Sequence, residues 1–279
     1  MSSNNQAAPA DTSLWDARRG TIRTRIGGMV IGKAVWCHGY DMMQELVGQA
    51  SYFQVMVLNI TGRLPERRLA DWLEAYFIGN SYPDARIWCN HIGSLGGTMQ
   101  ATPVAAACAG ILAADSHLYG PGTAHGIRFF QQALAKKQQG LTAAEIVAAE
   151  QRHPGAKPSV IGFARPLING DERIPALERV RVQLGFEIGA HLQLAFEIEE
   201  VLRAKTKEQM NLLGYLAPFL LDQGFSPDEF YRLVSLVVSS GVQACYAEAA
   251  DQPAETFFPL HCHDIDYQGQ PPRAVPERG

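Results

Sequence analysis

The stretch LYGPGTAHGIRFFQQAL, residues 118–134, sets His125 in a loop with three glycines and a proline, at the head of an apolar helical pattern. Glycine-rich loops ahead of helices can cradle phosphate. This one lacks the Gly-Lys-Ser/Thr ending of a P-loop and follows no predicted strand. The histidine suggests other chemistry. A helix N-terminus carries partial positive charge, which disfavours imidazolium and leaves a neutral ring able to donate one hydrogen bond. Such a donor suits an enol or enolate oxygen. The other reading is a histidine that merely caps the helix.

A second set lies in GFARPLINGDER, residues 162–173, where Arg165 and Arg173 flank a Pro/Gly loop holding Asp171 and Glu172. Guanidinium groups pair bidentately with carboxylate or phosphate, so an anion site is one reading. A loop tied down by its own ion pairs is the other. HCHDID, residues 261–266, gathers His261, Cys262, His263, Asp264 and Asp266. Adjacent positions rarely converge on one ion, and no second cluster has zinc-like spacing, so a polar turn fits better and no metal is assigned. His38 in WCHGYD and His91 in WCNHIG sit beside tryptophan and cysteine. Each could line a substrate pocket or be a buried structural histidine. His191 lies on an apolar helical face and reads as core, His117 as a last-turn residue, and His153 as solvated.

These residues need a frame. The chain has 279 residues, 47% hydrophobic and 19% charged, enough for a substantial core. A net charge of −4 argues against a nucleic-acid partner. Five scattered cysteines without a CxxC pair suit a reducing compartment. The start, MSSNNQAAPADTS, lacks a signal-peptide core, and the apolar runs 104–114 and 233–247 fall short of the ~20 residues a membrane span needs. The expectation is a cytoplasmic protein with no membrane partner.

Residues 1–12 read as a flexible tail. The alternation in TIRTRIGGMVIGKAV, residues 21–35, predicts a hairpin around Gly27-Gly28 and is the only strong strand signal. From Asp41 onward the pattern is helical. One helix is predicted from Asp41 to a stop at Gly62, another with Pro65 in its first turn, and a third opening at Thr102-Pro103. Capping boxes are predicted at Thr142/Glu145, Thr206/Gln209 and Ser226/Glu229. A single apolar face runs from Ala176 to Ala204. The fold class is all-α with a small N-terminal β-hairpin.

Taken in order, these pieces resemble the citrate synthase superfamily, including its shorter citryl-CoA lyase-like members. GYDMMQELVGQASYFQVMVLNITGRLP is similar to the family's early helix ending in Gly-Arg-Leu-Pro. GPGTAHG resembles its Gly-Pro-x-His-Gly turn with one extra residue. GFARPLINGDER resembles Gly-Phe-Gly-His-Pro-Leu-Tyr…Gly-Asp-Pro-Arg, NLLGYLAPFLLDQGFS resembles Asn-Val-Asp-Gly…Leu-Leu-Asp-x-Gly-Phe, and DYQGQPPRAVP resembles the terminal Tyr-x-Gly-Pro…Arg…Pro. The matches run from about Gly39 to Pro276.

The resemblance implies a two-domain helical homodimer. Its large domain would comprise 13–125 and 219–279, and a small lid domain 126–218. The family turns an acyl-CoA into an enol that attacks a keto acid, and the lyases run related chemistry backwards. No cofactor is bound permanently; a coenzyme A thioester is a substrate, and the partner is a small carboxylate or thioester. By position His125 matches the enol-holding histidine, and Arg173 a carboxylate-binding arginine. The second catalytic histidine falls on Arg165, making His125 and Arg165 the catalytic candidates. Arg173, His91 and His38 are the substrate-binding candidates. The catalytic aspartate falls on Leu213, a later arginine falls near Val238, and an Arg-Pro is not evident around Cys262-His263. General-base help contributes about 10²–10⁴-fold, which leucine cannot supply. These departures imply an enzyme of altered specificity acting through an enolate, not ordinary citrate synthesis. A non-catalytic relative that binds a metabolite or a partner enzyme is the alternative.

Overall fold

The only strand signal does fold as strands. In the computed structural model, which describes residues 11–116, 124–164, 170–256 and 262–276, a short helix α1 (Ser13–Arg18) precedes β1 (Gly27–Val30), β2 (Ala34–Cys37) and β3 (Tyr40–Asp41). The strands form one antiparallel sheet in the order β1-β2-β3, with Gly28 opposite Trp36 and Val30 opposite Ala34. The predicted turn position shifts: Gly27 and Gly28 lie inside β1, and the chain reverses at residues 31–33.

The chain divides into two units, Met1–Leu73 and Glu74–Gly279. In the first, the predicted helix from Asp41 to Gly62 is two elements. Asp41 accepts N–H bonds from Met43 and Gln44 and opens a π-helical turn, Met42–Leu46. Gly48 then takes a left-handed conformation at φ 81°, which breaks the helix. Ser51 and Gln54 close a capping box and start α2 (Tyr52–Thr61), which stops at Gly62 as expected. Cys37, Leu46 and Leu58 form a small core with Ala50, Val55 and Leu64 against it. Helix α3 (Arg67–Gly79) starts beyond Pro65, not on it, and the division between the units falls within it.

The second unit is helical. Its elements are α4 (Trp88–Thr98), α5 (Pro103–Ala114), α6 (Ala124–Gln138), α7 (Ala143–Ala149), α8 (Arg173–Gln183), α9 (Ala190–Thr206), α10 (Leu212–Asp222), α11 (Pro227–Val234) and α12 (Ser239–Ala250). The predicted caps at Thr102, Thr142 and Ser226 are formed. The one at Thr206 is not. Thr206 is the last residue of α9, Lys207 takes the left-handed conformation, and Asn211 caps the next helix. Likewise the continuous face predicted from Ala176 to Ala204 is cut into α8 and α9, with Gly185 left-handed between them.

Helices α4, α5 and α12 pack together. A Cβ on Gly93 would lie 2.5 Å from the Val242 carbonyl oxygen, and one on Gly97 2.5 Å from that of Tyr246. Small residues therefore let the α4 and α12 backbones nearly touch. A second group joins α6, α7, α9 and α10, with α8 against α10 and α11 against α6. Its core includes Phe130, Phe163, Leu192, Ile198, Tyr215 and Phe219. Pro227–Ala250 is long and apolar enough, by length and composition, to cross a membrane. Here it forms α11 and α12, with Phe230, Leu233, Val234, Val237 and Val242 buried in the core.

Candidate active site at the start of α10

Two of the sequence-predicted residues of the second unit are linked to the N-terminus of α10, Arg173 through Asp171 and His125 through its neighbour Gly126. Asn211 caps this helix, its side-chain oxygen accepting the N–H groups of Leu213 and Gly214 at 3.0 and 3.2 Å. The same side chain donates through Nδ2 to the Ala164 carbonyl at 2.8 Å, and the Asn211 N–H donates to the Gly162 carbonyl at 2.9 Å. Gly162 and Gly214 make this closeness possible: a Cβ on Gly162 would lie 2.8 Å from the Gly214 Cα. The loop that begins with Gly-Phe-Ala is thus fastened to α10 through backbone contacts that only glycine permits. Arg165, the next residue, lies outside the described residues.

Arg173 opens α8 and is held on two sides. Its Nε and Nη2 donate to the two carboxylate oxygens of Asp171 at 2.8 and 2.6 Å, and Nη1 donates to Asn80 Oδ1 at 2.8 Å. Asn80 is oriented in turn by donating Nδ2 to the Tyr76 carbonyl at 2.8 Å. The Asp171 side chain is fully buried, and its Oδ2 also accepts the Leu212 N–H at 3.1 Å. One carboxylate therefore joins the arginine to the first turn of α10. The bidentate pair uses the Nε/Nη2 edge, so the outer Nη1/Nη2 edge keeps N–H groups that can meet a further carboxylate. The local ion pair and the anion site, alternatives in the sequence, are compatible in this geometry.

His125 is exposed in the first turn of α6. Its neighbour Gly126 is buried, and a Cβ there would lie 2.8 Å from Leu213 Cδ2. Leu213 is half-buried and rests on the start of α6. The position that the resemblance assigns to a carboxylate base is therefore next to the candidate enol-holding histidine, and it carries an isobutyl group. Nothing polar from residue 213 can serve this corner.

Behind the corner, Tyr215 donates its hydroxyl to Glu178 at 2.6 Å, and Arg181 pairs with the same carboxylate through Nε at 2.8 Å and Nη2 at 3.0 Å. Arg181 also donates to the Phe186 carbonyl. Burial, and then the hydrogen bond to Glu178, push the Tyr215 phenol well above its ordinary range. Burial does the same for Tyr76.

His91 projects from α4, is exposed, and donates from Nδ1 to the Ala85 carbonyl at 3.1 Å. His38 belongs to the first unit, in a left-handed turn at φ 48° between β2 and β3, with its ring against Gly62. His191 is not simply core: its Nδ1 donates to Asp222 at 2.8 Å, and that carboxylate also accepts the N–H groups of His191 and Leu192 at 3.0 Å. Asp222 thereby caps α9 from the end of α10. His117 and His261 lie outside the described residues, His153 is exposed as expected, and His263 is exposed in a short 3₁₀ turn. Among the described residues no group of three or more His, Cys, Asp or Glu side chains could hold a metal ion.

Sequence reasoning missed Asn80 and the part played by Asp171. Asn80 stands 93 residues from the arginine it supports, and nothing local in the chain signals that pairing. Asp171, two residues from Arg173, was visible as a local partner; its bond to the Leu212 N–H was not.

Comparison with known proteins shows the fold. No protein-family profile matches the sequence, and no curated protein does. Solved structures do match. Citryl-CoA lyase from Hydrogenobacter thermophilus is similar over 91% of this chain and 97% of its own, with TM-score 0.76 and 21% identity. ATP citrate lyase from Methanothrix soehngenii, in complex with citrate and coenzyme A, matches 95% of this chain at TM-score 0.76 and 17% identity. There the chain spans only 45% of the longer protein. Citrate synthase from Pyrobaculum aerophilum matches 81% of this chain and 55% of its own, at TM-score 0.59 and 16% identity. The chain has the helical fold of citryl-CoA lyase and citrate synthase.

Proposed function

We propose that the protein is an acyl-thioester enzyme of the citrate synthase superfamily that breaks a carbon–carbon bond through an enolate held by His125. Leu213 seated against Gly126, one residue from His125, carries this reading. A synthetic reaction must first remove a proton from the thioester's α-carbon, and leucine cannot accept it. Cleavage generates the enolate differently. The hydroxyl proton of a 3-hydroxyacyl thioester passes to a solvent water, the carbonyl forms, and the carbon–carbon bonding pair moves onto the thioester as enolate. The enolate carbon then takes a proton from solvent. Decarboxylation of a malonyl-type thioester likewise yields an enolate and CO₂ without a base.

In either reaction the His125 ring donates to the enolate oxygen. Arg173, aimed by Asp171 and Asn80, receives a substrate carboxylate on its outer edge. Arg165, where the superfamily has its second histidine, is assigned to the forming carbonyl or a second carboxylate. The segment 126–218 is assigned as the lid. The fold likeness to a citryl-CoA lyase makes citryl-CoA the first substrate to try.

The test assays citryl-CoA and malonyl thioesters for released keto acid, shortened thioester and CO₂. Turnover by wild type, lost by about 10²-fold or more in His125→Ala, is the expected result. Leu213→Asp should add a reaction that wild type lacks, exchange of the acetyl-CoA methyl protons with deuterated solvent, faster by about 10²-fold. Wild type that gains thermal stability with these ligands yet leaves every thioester intact would replace this reading with the metabolite-binding one.

A further inference from the structure

Helix α6 carries a charged side chain close to His125 that the proposed reaction leaves without a task. The buried face of the helix is Gly126, Ile127, Phe130 and Ala133, so His125, Arg128 and Gln132 share the exposed one. His125 and Arg128 stand three positions apart, which puts their Cβ atoms about 5–6 Å from each other. Long side chains on a helix lean toward its N-terminus, which brings the Arg128 guanidinium toward the turn that holds His125. Arg128 makes no ion pair or side-chain hydrogen bond among the described residues. No acid follows Asp115 in the sequence until Glu145. The other two cations of α6, Lys136 and Lys137, stand in its last turn, where the helix end favours them, and Lys137 pairs with Glu197. Arg128, in the second turn, has neither support.

Helical rotation decides which side of His125 this arginine serves. Gly126 is turned about 100° from His125 in one direction and Arg128 about 60° in the other. Leu213 rests on the Gly126 side. Arg173 is tied to that side as well, through Asp171 and the Leu212 N–H. The two arginines therefore flank His125 and meet different groups of a bound substrate. Arg173 meets the carboxylate of the keto-acid fragment. Arg128 meets a group on the fragment that becomes the enolate. The phosphates of coenzyme A stand at the far end of the pantetheine arm, out of reach of a side chain one turn from His125.

We infer that Arg128 is a specificity residue, and that the acyl fragment released as the enolate bears a carboxylate of its own, which this guanidinium binds. The inference rests on the proposed assignment of His125 to the enolate. The substrate class is then a 3-hydroxyacyl thioester whose cleavage yields a keto acid and the thioester of a dicarboxylic acid of the succinyl type. The bond between the α- and β-carbons breaks, and its electron pair becomes the enolate. The β-hydroxyl proton passes to water and leaves the keto group, the α-carbon takes a proton from solvent, and the carboxylate on Arg128 is unchanged. An acetyl fragment offers a guanidinium nothing. Pairing with arginine also stabilises the carboxylate as an anion, which works against its loss as CO₂ and favours this cleavage over decarboxylation.

The experiment titrates the full chain calorimetrically with freshly prepared succinyl-CoA and with butyryl-CoA, which has the same carbon chain without the carboxylate. Wild type should bind succinyl-CoA at least about tenfold more tightly. In Arg128→Gln the ratio of the two affinities should fall to about one, through weaker succinyl-CoA binding alone. Arg128→Lys, which keeps the charge but not the fork, should retain part of the preference. Circular dichroism checks that each variant is folded. Equal affinities in wild type would make Arg128 a solvated side chain and overturn the inference. A preference that survives Arg128→Gln would overturn it too. Equal weakening of both thioesters by that change would place Arg128 on the carrier, not on the acyl group, and binding of neither would remove the thioester site altogether. His125→Ala separates the two readings: it should weaken both ligands alike, and indifference of both would overturn the role of His125 while the Arg128 ratio is read independently.

Discussion

Leu212 and Leu213 are neighbours, yet they serve opposite halves of the candidate site. The Leu212 N–H donates to Asp171, which also grips Arg173. The Leu213 side chain lies on Gly126, beside His125. On the first side the polar groups are fixed by further polar groups: Asn80 orients the arginine, and the Tyr76 carbonyl orients Asn80. On the other, the Leu213 side chain covers Gly126 in the first turn of α6. The contrast separates recognition from chemistry. On the proposed reading, the arginine that would hold a carboxylate is braced by polar neighbours, while residue 213 supplies no base for removing a proton. A protein that still binds such a substrate must obtain its enolate from a broken bond, or not react at all.

The largest blow to the comparison would fall on the braced half. Asp171→Ala leaves the partly buried Arg173 guanidinium and the Leu212 N–H without their shared acceptor. Removing one partner of a buried pair costs about 3–5 kcal/mol; Arg173 keeps some exposure, which places this change near the lower end. Calorimetry should show Tm falling by on the order of 10 °C. Asp171→Asn, which keeps one acceptor, should fall less. Equal and negligible shifts would mean that the two halves are not built differently.

A smaller effect probes the polar network behind that half. Burial and Glu178 hold the Tyr215 phenol above its ordinary value, and burial does so for Tyr76. In the unfolded chain both ionise near pH ~10. The sign follows: their contribution to stability is complete below pH ~10 and is lost progressively as pH rises above it. Each group removes about 1.4 kcal/mol per further pH unit until its own folded-state value is reached. Tyr215→Phe should cost about 1 kcal/mol at neutral pH, since Glu178 keeps Arg181. Above pH ~10 the Tm of this variant should decline less steeply than that of wild type. Parallel declines would show that Tyr215 is not the titrating group.

Much of this was legible in the chain, for local reasons. Thr142, Ser226 and Thr102 announced their helices because a cap is satisfied by residues three positions away. The helical fold could be recognised because motif order survives where identity to structural neighbours is near one residue in five. The failures were of two kinds. Thr206 has the right spacing for a cap, but Lys207 turned left-handed and handed the cap to Asn211. That choice depends on the fastening of Asn211 to Gly162 and Ala164, 47 residues or more away. Asn80 and Asp222 were missed because their partners lie 93 and 31 residues off. Periodicity carries no record of such pairings.

The smallest expected effect sharpens the apolar half. Gly126→Ala places a Cβ 2.8 Å from Leu213 Cδ2 and 3.1 Å from Cγ, closer than carbon atoms sit without giving way. Leu213 is half-buried, so its branched end can swing toward solvent, and the strain should be modest, about 1–2 kcal/mol. Against it stands the better helix propensity of alanine, about 0.8–1 kcal/mol. In wild type the two nearly cancel, and a small net loss is expected. With Leu213→Ala already in place the strain vanishes, so Gly126→Ala should there stabilise by the propensity gain alone. The cycle should therefore show a coupling of about 1–2 kcal/mol between residues 126 and 213 in urea unfolding. Additive effects would separate Leu213 from the start of α6, and with it the claim that a leucine occupies the place of a base beside His125.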